Sequence, residues 1–115
     1  MEKIVFRQGC TYDPPIKITI DGKVPTEKDV AKIHFRFRNI VKSFPDSEDV
    51  KCEDGKFIVH LSSQDTLNLP ACCDNDIEII IMFPQGETKP VKPTKGIFTF
   101  DVEATGFPKE VFSNE

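Results

Sequence analysis

Apolar side chains fall on every second residue in five segments of this chain, with mostly polar side chains between them. Because successive side chains of a β-strand point to opposite faces, this period of two predicts strands with one buried face. The segments use most of the large apolar residues, so few remain to line a pocket. The five apolar sets are Ile16/Ile18/Ile20, Ile33/Phe35/Phe37, Phe57/Val59/Leu61, Ile77/Ile79/Ile81/Phe83 and Phe98/Phe100/Val102.

Turn-forming residues bound these segments and leave room for shorter strands between them. Asp54-Gly55, between two alternating runs, predicts a tight hairpin. The alternation slips after Asn39, which favours a bulge or a bend into a short strand that ends at Pro45. The other predicted strands are Lys3–Gln8, Ile16–Ile20, Ile33–Arg38, Val50–Cys52, Lys56–Leu61, Asp76–Phe83 and Gly96–Ala104.

Only single helical turns are expected beside the strands. Ser62 followed three residues later by Asp65 is typical of a capping box, and Pro70 ends that segment. A second turn is predicted over Thr26–Val30, with its first residue as the cap. The tail Thr105–Glu115 is partly apolar and is expected to pack against the domain.

About seven short antiparallel strands with one or two short helical turns predict an all-β fold, an immunoglobulin-like β-sandwich. A chain of 115 residues is expected to form a single domain, 1–115, whose core needs no disulfide or metal. One sheet would hold the strands beginning at Lys3, Ile16, Val50 and Lys56, and the other those beginning at Ile33, Asp76 and Gly96.

Composition and charge limit the classes of partner that this chain is expected to bind. The chain has 38% hydrophobic and 30% charged residues and a net charge of −4, which argues against binding nucleic acid through bulk charge. No apolar run approaches the roughly 18 residues of a membrane span, so no membrane partner is expected. The N-terminus lacks the features of a secretory signal, which predicts a cytoplasmic location and reduced thiols.

Four cysteines and two histidines raise the question of a metal. Structural zinc sites use spaced ligand pairs, whereas Cys72 and Cys73 are adjacent and Cys10 and Cys52 stand alone. We therefore expect no metal and no other cofactor, with the cysteines as small buried or loop side chains. A disulfide is conceivable, but the sequence does not choose among the pairings. Acidic neighbours of the adjacent pair disfavour a reactive thiolate.

Catalytic patterns are weak as well. His60 precedes two serines but alternates with buried positions and so points outward, and His34 is expected on an outward face too. There is no nucleophile-elbow motif, no phosphate-binding glycine loop and no pair of carboxylates placed for acid–base chemistry. The sequence predicts a protein that is not an enzyme and has no catalytic residues.

The outward set His34, Arg36 and Arg38, extended by Lys42, is the one concentrated positive feature on a strand. It could contact phosphate or an acidic partner. The preferred interpretation is cross-strand pairing with Glu78, because the two strands are neighbours in an immunoglobulin-like sheet.

The strand Asp76–Phe83 is apolar on both faces, since Ile80 and Met82 lie opposite the buried set. A strand of this kind is normally covered on both sides. Two alternatives follow: the C-terminal tail covers this face, or another subunit does.

Four segments carry a family resemblance: FRQGCT at Phe6–Thr11, KIHFRF at Lys32–Phe37, FIVHLSSQDTL at Phe57–Leu67 and GIFTFDV at Gly96–Val102. They resemble small immunoglobulin-like proteins of tailed bacteriophages and prophages of Gram-positive bacteria, similar to the N-terminal domain of phage baseplate upper proteins. Two departures stand out: Cys10 replaces an acidic residue usual in the family, and the connection Pro84–Lys95 is unusually rich in proline, which puts partner contact through it in doubt.

The resemblance implies a non-catalytic structural or adaptor protein that acts through protein–protein contacts, as a virion or assembly component. Its expected partners are other phage structural proteins or itself, as a homo-oligomer, in the cytoplasm of a bacterial host or in the virion. The alternative is a carbohydrate- or ligand-binding module, although the chain offers few aromatic platforms. The expected contact residues are Gln8, Tyr12, Arg36, Arg38, Ile80, Met82, Gln85, Lys89 and Lys92.

Overall fold

A computed structural model describes residues 2–20, 22, 23, 25, 28–91 and 95–112. Those parts of the chain confirm the all-β prediction, with nine strands, one short α-helix and one 3-10 turn. The elements are β1 (Glu2–Arg7), β2 (Pro15–Lys17), β3 (Lys32–Phe37), β4 (Ile40–Phe44), β5 (Val50–Glu53), β6 (Lys56–Val59), α1 (Ser63–Leu67), β7 (Cys72–Met82), β8 (Thr88–Val91), β9 (Lys95–Glu103) and the 3-10 turn Lys109–Phe112.

Hydrogen bonds connect the strands in the order β4-β3-β7-β9-β2-β6-β5, with β1 beside β9 and β8 beside β7. Strand β9 joins two halves, because its start pairs with β2 and its later residues pair with β7. The halves face each other: the ring of Phe57 in β6 lies 5.8 Å from that of Phe35 in β3 and 5.2 Å from that of Phe44 in β4. The sheet has curled into a sandwich-like fold.

The prediction of which strands lie side by side is confirmed for β2, β6 and β5 and for β3, β7 and β9. It is wrong for β1. Strand β1, expected beside β2, instead runs parallel to β9. Pro14 precedes β2 and Pro15 is its first residue. Neither can donate a ladder hydrogen bond, which disfavours a direct hairpin between β1 and β2. In its actual place β1 buries Phe6, whose ring lies 5.4 Å from that of Phe100.

Strands β3 and β4 form a tight hairpin where a bulge or bend was predicted. Phe37 pairs with Ile40, so Arg38 and Asn39 are the only turn residues. Arg38 has a φ of 60°, a positive value of the kind that two-residue hairpin turns require. The alternation of apolar and polar residues is interrupted at this point because the chain reverses direction.

The connection after β7 contains a strand that the sequence did not predict. Strand β8 pairs with the second half of β7, with Pro90 opposite Ile80. Proline is tolerated there because β8 lies at the edge of the sheet and donates to one neighbour at most. The helical turn predicted over Thr26–Val30 lies partly outside the described residues.

The apolar stripes form one core, and the sites between them are polar or half-buried. The capping box is present: Ser62 Oγ accepts from the backbone N–H of Asp65, whose carboxylate accepts from the backbone N–H of Ser62. The buried apolar cluster consists of Phe6, Ile16, Ile18, Val30, Ile33, Phe35, Phe37, Phe44, Val50, Phe57, Val59, Leu61, Leu69, Ile77, Ile79, Ile81, Phe100 and Val102.

The tail packs on the domain through one of its aromatic residues. The Nε2 of Gln64 donates to the carbonyl of Phe112 at 3.0 Å, and the Phe112 ring lies against Gly9. Phe107 and Val111, by contrast, are 66% and 58% exposed. Among the apolar side chains in the described part of the tail, the expected packing is therefore confirmed for Phe112 and not for Phe107 or Val111.

Candidate functional site

The outward face of β7 carries the apolar pair that the sequence analysis singled out. Ile80 and Met82 are half-buried, whereas Ile79 and Ile81 on the inward face are buried. In the sheet, Ile80 lies between His34 of β3 and Pro90 of β8, and Met82 lies between Lys32 and Thr88. We call the outward face of β3, β7 and β8 around Ile80 and Met82 the outer face.

The described part of the tail does not cover the outer face. Phe112 lies at Gly9, beyond the end of β1, and that end of β1 is next to the start of β7, since Cys72 pairs with Val102 and Val102 with Phe6. Strand β7 is 11 residues long, so its two ends are about 33 Å apart. Ile80 and Met82 are near the other end.

The outward basic side chains of β3 mostly have hydrogen-bond partners within the sheet. Arg36 lies opposite Glu78, and its Nε donates to the Glu78 carboxylate at 2.8 Å, which confirms the predicted cross-strand pair. Another guanidinium nitrogen donates to the carbonyl of Arg38 at 2.8 Å. His34 Nδ1 lies 2.6 Å from Ser43 Oγ. Arg38 alone in this set has no side-chain partner among the described residues.

Lys42 was expected to extend the outward stripe, and this prediction is wrong. The two-residue turn places Lys42 opposite Phe35, whose side chain is buried, so Lys42 shares the inward side. Its side chain is 11% exposed, and its Nζ lies 2.6 Å from Asp49 and 2.8 Å from Asp65. Lys42 thus joins β4 to the first turn of α1.

The charges of this cluster stabilise one another. Burial opposes the charged form of Lys42, but its hydrogen bonds to Asp49 and Asp65 outweigh burial and raise the pKa of Lys42. Burial likewise opposes ionisation of Asp65, yet Lys42 and the backbone N–H of Ser62 lower the pKa of Asp65. The sequence alone does not predict this cluster, because the hairpin register that turns Lys42 inward is a tertiary feature.

Two of the expected contact residues are engaged within the fold. Gln8 Nε2 donates to the carbonyl of Leu69 at 2.7 Å, and its Oε1 accepts from the backbone N–H of Thr105. The Tyr12 hydroxyl accepts from the backbone N–H of Arg7 at 2.9 Å, and its ring lies 4.9 Å from that of Phe6. Both side chains hold the end of β1 in place.

The remaining expected contact residues belong to the β7–β8 hairpin and its surroundings. Gln85 is exposed and donates to Glu87 at 3.2 Å. Lys89 is exposed, with its Nζ 6.0 Å from the centre of the Phe83 ring. Lys92 lies outside the described residues. Gln85 and Lys89 are thus at the same end of the sheet as Ile80 and Met82.

A polar cleft of about 330 Å³ lies at the other end of β7. It is lined by Arg36, Arg38 and the run Cys72–Asp76, which the β3–β7 pairing and the β3–β4 turn bring together. Cys72 and Cys73 are exposed strand residues, as Cys52 is, so the expectation of buried or loop thiols is wrong for these three. No disulfide joins any of the four cysteines.

A bulge in β7 shapes this cleft. Cys72 pairs with Val102 and Asn75 with Phe100, which leaves Cys73 and Asp74 opposite the single residue Asp101. The buried side chain of Asn75 donates to the carbonyls of Cys72 and Phe100, at 3.1 Å each.

Charged side chains hold the outer side of the bulge. Lys3 Nζ lies 2.9 Å from Asp74 and 3.4 Å from Asp101, whose carboxylate accepts from the backbone N–H of Asp74 at 2.7 Å. The backbone N–H of Asp74 and the ammonium of Lys3 lower the pKa of Asp101. The same two carboxylates, Asp74 first, raise the pKa of Lys3.

The described ranges of the chain contain no group of three or more histidine, cysteine or acidic side chains that could hold a metal ion. They also contain no helix of the length and apolarity that a membrane span requires.

Comparison with known proteins returned no match. No protein-family model matches the chain, and no curated protein and no solved structure is significantly similar to it.

Proposed function

We propose that this protein is a non-catalytic structural or adaptor module of a bacteriophage or prophage, which acts through protein–protein contacts of its outer face. The observation that carries the proposal is the half-buried pair Ile80 and Met82 on the outward side of β7. An apolar pair on an outward sheet face is a common anchor of protein interfaces. The phage assignment comes from the sequence resemblance of four segments, and with it the expected places of action, the bacterial cytoplasm or the virion.

The surroundings of the pair suit a protein partner. Pro90 lies opposite Ile80 and extends the apolar strip onto β8, while Lys32, Thr88 and Lys89 supply a polar edge. An apolar centre with a polar rim is the usual composition of a protein interface. The partner we propose is a structural protein of the same particle, either another copy of this chain or the product of a neighbouring gene.

A carbohydrate- or ligand-binding module on the same fold has less in its favour. Sugar sites use exposed aromatic rings as platforms, but Tyr12 is packed against Phe6 and its hydroxyl is bonded to Arg7. Phe107 is exposed, although it lies in the tail, away from the outer face. A glycan array is expected to give no signal with the wild-type protein.

The test combines gene context with two charged variants. We expect the gene to be flanked by genes for capsid, portal or tail proteins. The full chain is co-expressed with the flanking gene products, and complexes are measured by light scattering after size exclusion, with identification by mass spectrometry. Ile80→Glu and Met82→Glu should abolish the complex or the self-association, since each places a charge in the apolar strip. Val111→Glu, at an exposed position in the tail, is the matched control.

Three results would contradict the proposal. They are a strictly monomeric wild-type protein that retains none of the flanking products, equal association by Ile80→Glu and wild type, and a gene neighbourhood of metabolic enzymes. Circular dichroism and thermal unfolding establish that each variant is folded before it is scored.

A further inference from the structure

The cleft beside the β3–β4 turn combines two exposed thiols with charged side chains, of which only some form ion pairs. Arg36 is paired with Glu78, and Asp74 with Lys3. No described residue pairs with the guanidinium of Arg38 or with the carboxylate of Asp76, and both groups line the cleft. One cation and one anion therefore remain for a ligand.

The two thiols are not equivalent. Cys72 is in register with Val102, and its Sγ points at the carbonyl of Cys73 at 3.6 Å. Cys73 is in the bulge and has no partner in the ladder, and its side chain forms no hydrogen bond or ion pair with a described residue. Acidic neighbours argued against reactive thiols, but Asp74 is paired with Lys3 at 2.9 Å, and the guanidinium of Arg38, in the same cleft, has no partner among the described residues. Exposure and an unpaired cation in the same cleft favour thiol exchange.

We propose that Cys73 is a site of mixed-disulfide formation with a zwitterionic peptide thiol of the glutathione type. Such a thiol carries carboxylates, which fit Arg38, and an ammonium group, which fits Asp76. The cleft volume of about 330 Å³ lies at the lower end of the sizes that hold small ligands, about 300–1,000 Å³.

The oxidant is the symmetrical disulfide of the peptide thiol. The Cys73 thiolate attacks one sulfur of that disulfide, so a bond forms to Cys73 Sγ while the sulfur–sulfur bond of the reagent breaks. The second half leaves as a thiolate with the electron pair of the broken bond, and it takes up the proton that Cys73 lost to water. Cys73 is oxidised, and one equivalent of the peptide thiol is released in reduced form.

The mixed disulfide should persist, because Cys72 is poorly placed to displace it. Adjacent α-carbons lie about 3.8 Å apart, whereas disulfides usually join α-carbons about 4.4–6.8 Å apart. Closing a ring between Cys72 and Cys73 would also disturb the hydrogen bond from Asn75 to the Cys72 carbonyl.

The experiment uses the reduced full-length chain, glutathione disulfide as the probe, and mass spectrometric mapping of all four cysteines over time. Cys73 should react faster than the exposed thiols Cys10 and Cys52, which serve as internal comparisons. Arg38→Glu should slow the reaction of Cys73 with glutathione disulfide about two- to fivefold. The same variant should slow the reactions of Cys73 with neutral iodoacetamide and with cystamine, a cationic disulfide without carboxylates, less than its reaction with glutathione disulfide.

Four outcomes overturn the proposal. Two concern the site: a Cys73 rate no higher than that of Cys10 and Cys52, and modification at Cys72 instead. The others are an Arg38→Glu effect that is the same for glutathione disulfide and cystamine, and accumulation of an internal Cys72–Cys73 disulfide in place of the mixed disulfide. Arg38→Gln, which keeps a polar side chain in the turn, repeats the comparison should Arg38→Glu unfold the hairpin.

Discussion

Gly9 gives the ring of Phe112 the space in which the C-terminal tail docks. A Cβ built on Gly9 would lie 2.3 Å from the Phe112 Cε1 atom, and Gly9 has a φ of +89°. The backbone N–H of Gly9 also donates to Thr66 Oγ1 at 3.0 Å, so α1, the end of β1 and the tail meet at this residue.

Gly9→Ala should therefore destabilise the fold by about 2–4 kcal/mol, since it adds both a clash with the ring and a strained φ. Urea unfolding followed by circular dichroism gives the free energy of unfolding. In a Phe112→Ala background the same substitution should cost at least about 1 kcal/mol less, because only the backbone strain remains. An equal cost in both backgrounds would show that the tail does not dock at Gly9.

Lys42→Met should lower the free energy of unfolding by about 1–3 kcal/mol at neutral pH. The substitution leaves Asp49 and Asp65 close together without the cation that balances them. The control is Lys89→Met, which removes an exposed lysine and should change stability by less than about 0.5 kcal/mol. Chemical unfolding of the two variants side by side measures both; equal effects would mean that the cluster does not stabilise the fold.

The same cluster predicts the response to acid. Folding lowers the pKa of Asp65 below its ordinary value of 3.8, so ionised Asp65 stabilises the fold above that pH. The contribution is lost as the pH falls through the lower pKa of the folded state. Asp65→Asn should therefore flatten the decline in stability between about pH 5 and pH 2. Unfolding free energies across that range test this, and a decline as steep as that of the wild type contradicts it.

Asn75→Leu should destabilise the fold by about 2–4 kcal/mol, because the carbonyls of Cys72 and Phe100 would each lose a donor in a buried site. The bulge should loosen as well, which hydrogen exchange at the backbone N–H of Asp74 would report as faster exchange. Asp76→Leu, next along the strand and exposed, is the matched control. Unchanged exchange at Asp74 would mean that Asn75 does not hold the bulge.

The pair of Arg36 and Glu78 should contribute little to stability. Their side chains are 52% and 54% exposed, and exposed ion pairs are typically worth about 0.2–1 kcal/mol. A double-mutant cycle with Arg36→Ala and Glu78→Ala should give a coupling energy in that range, smaller still in 1 M salt. A coupling above about 2 kcal/mol would require a more buried pair than the one described here.

Local patterns along the chain predicted local features well. The alternation around Phe35, Phe57 and Ile79 identified side chains that are in fact buried in the core. The Asp54-Gly55 turn has the positive φ values, 49° and 75°, that a tight hairpin of this sequence needs. Both features depend on residues only a few positions apart in the chain, so the local sequence is enough to predict them.

The candidate sites were harder to predict. Lys42 turns inward because Phe37 pairs with Ile40 across a two-residue turn, a register that the slipping pattern did not reveal. Cys73 is exposed in a cleft with Arg38 because a bulge opposite Asp101 interrupts β7. In each case the deciding partner lies on another strand.

The amino-acid sequence by itself determined that this chain is all-β, which face of each long strand is buried, and where α1 begins. Only the tertiary structure decided that β1 lies beside β9, that β8 extends the sheet beyond Ile80, and that Phe112 docks on Gly9. The physical reason is that the alternation of apolar and polar residues within one strand is enough to show which of its side chains will be buried. The choice of neighbouring strand depends instead on hydrogen bonds and side-chain packing between residues that are far apart in the chain.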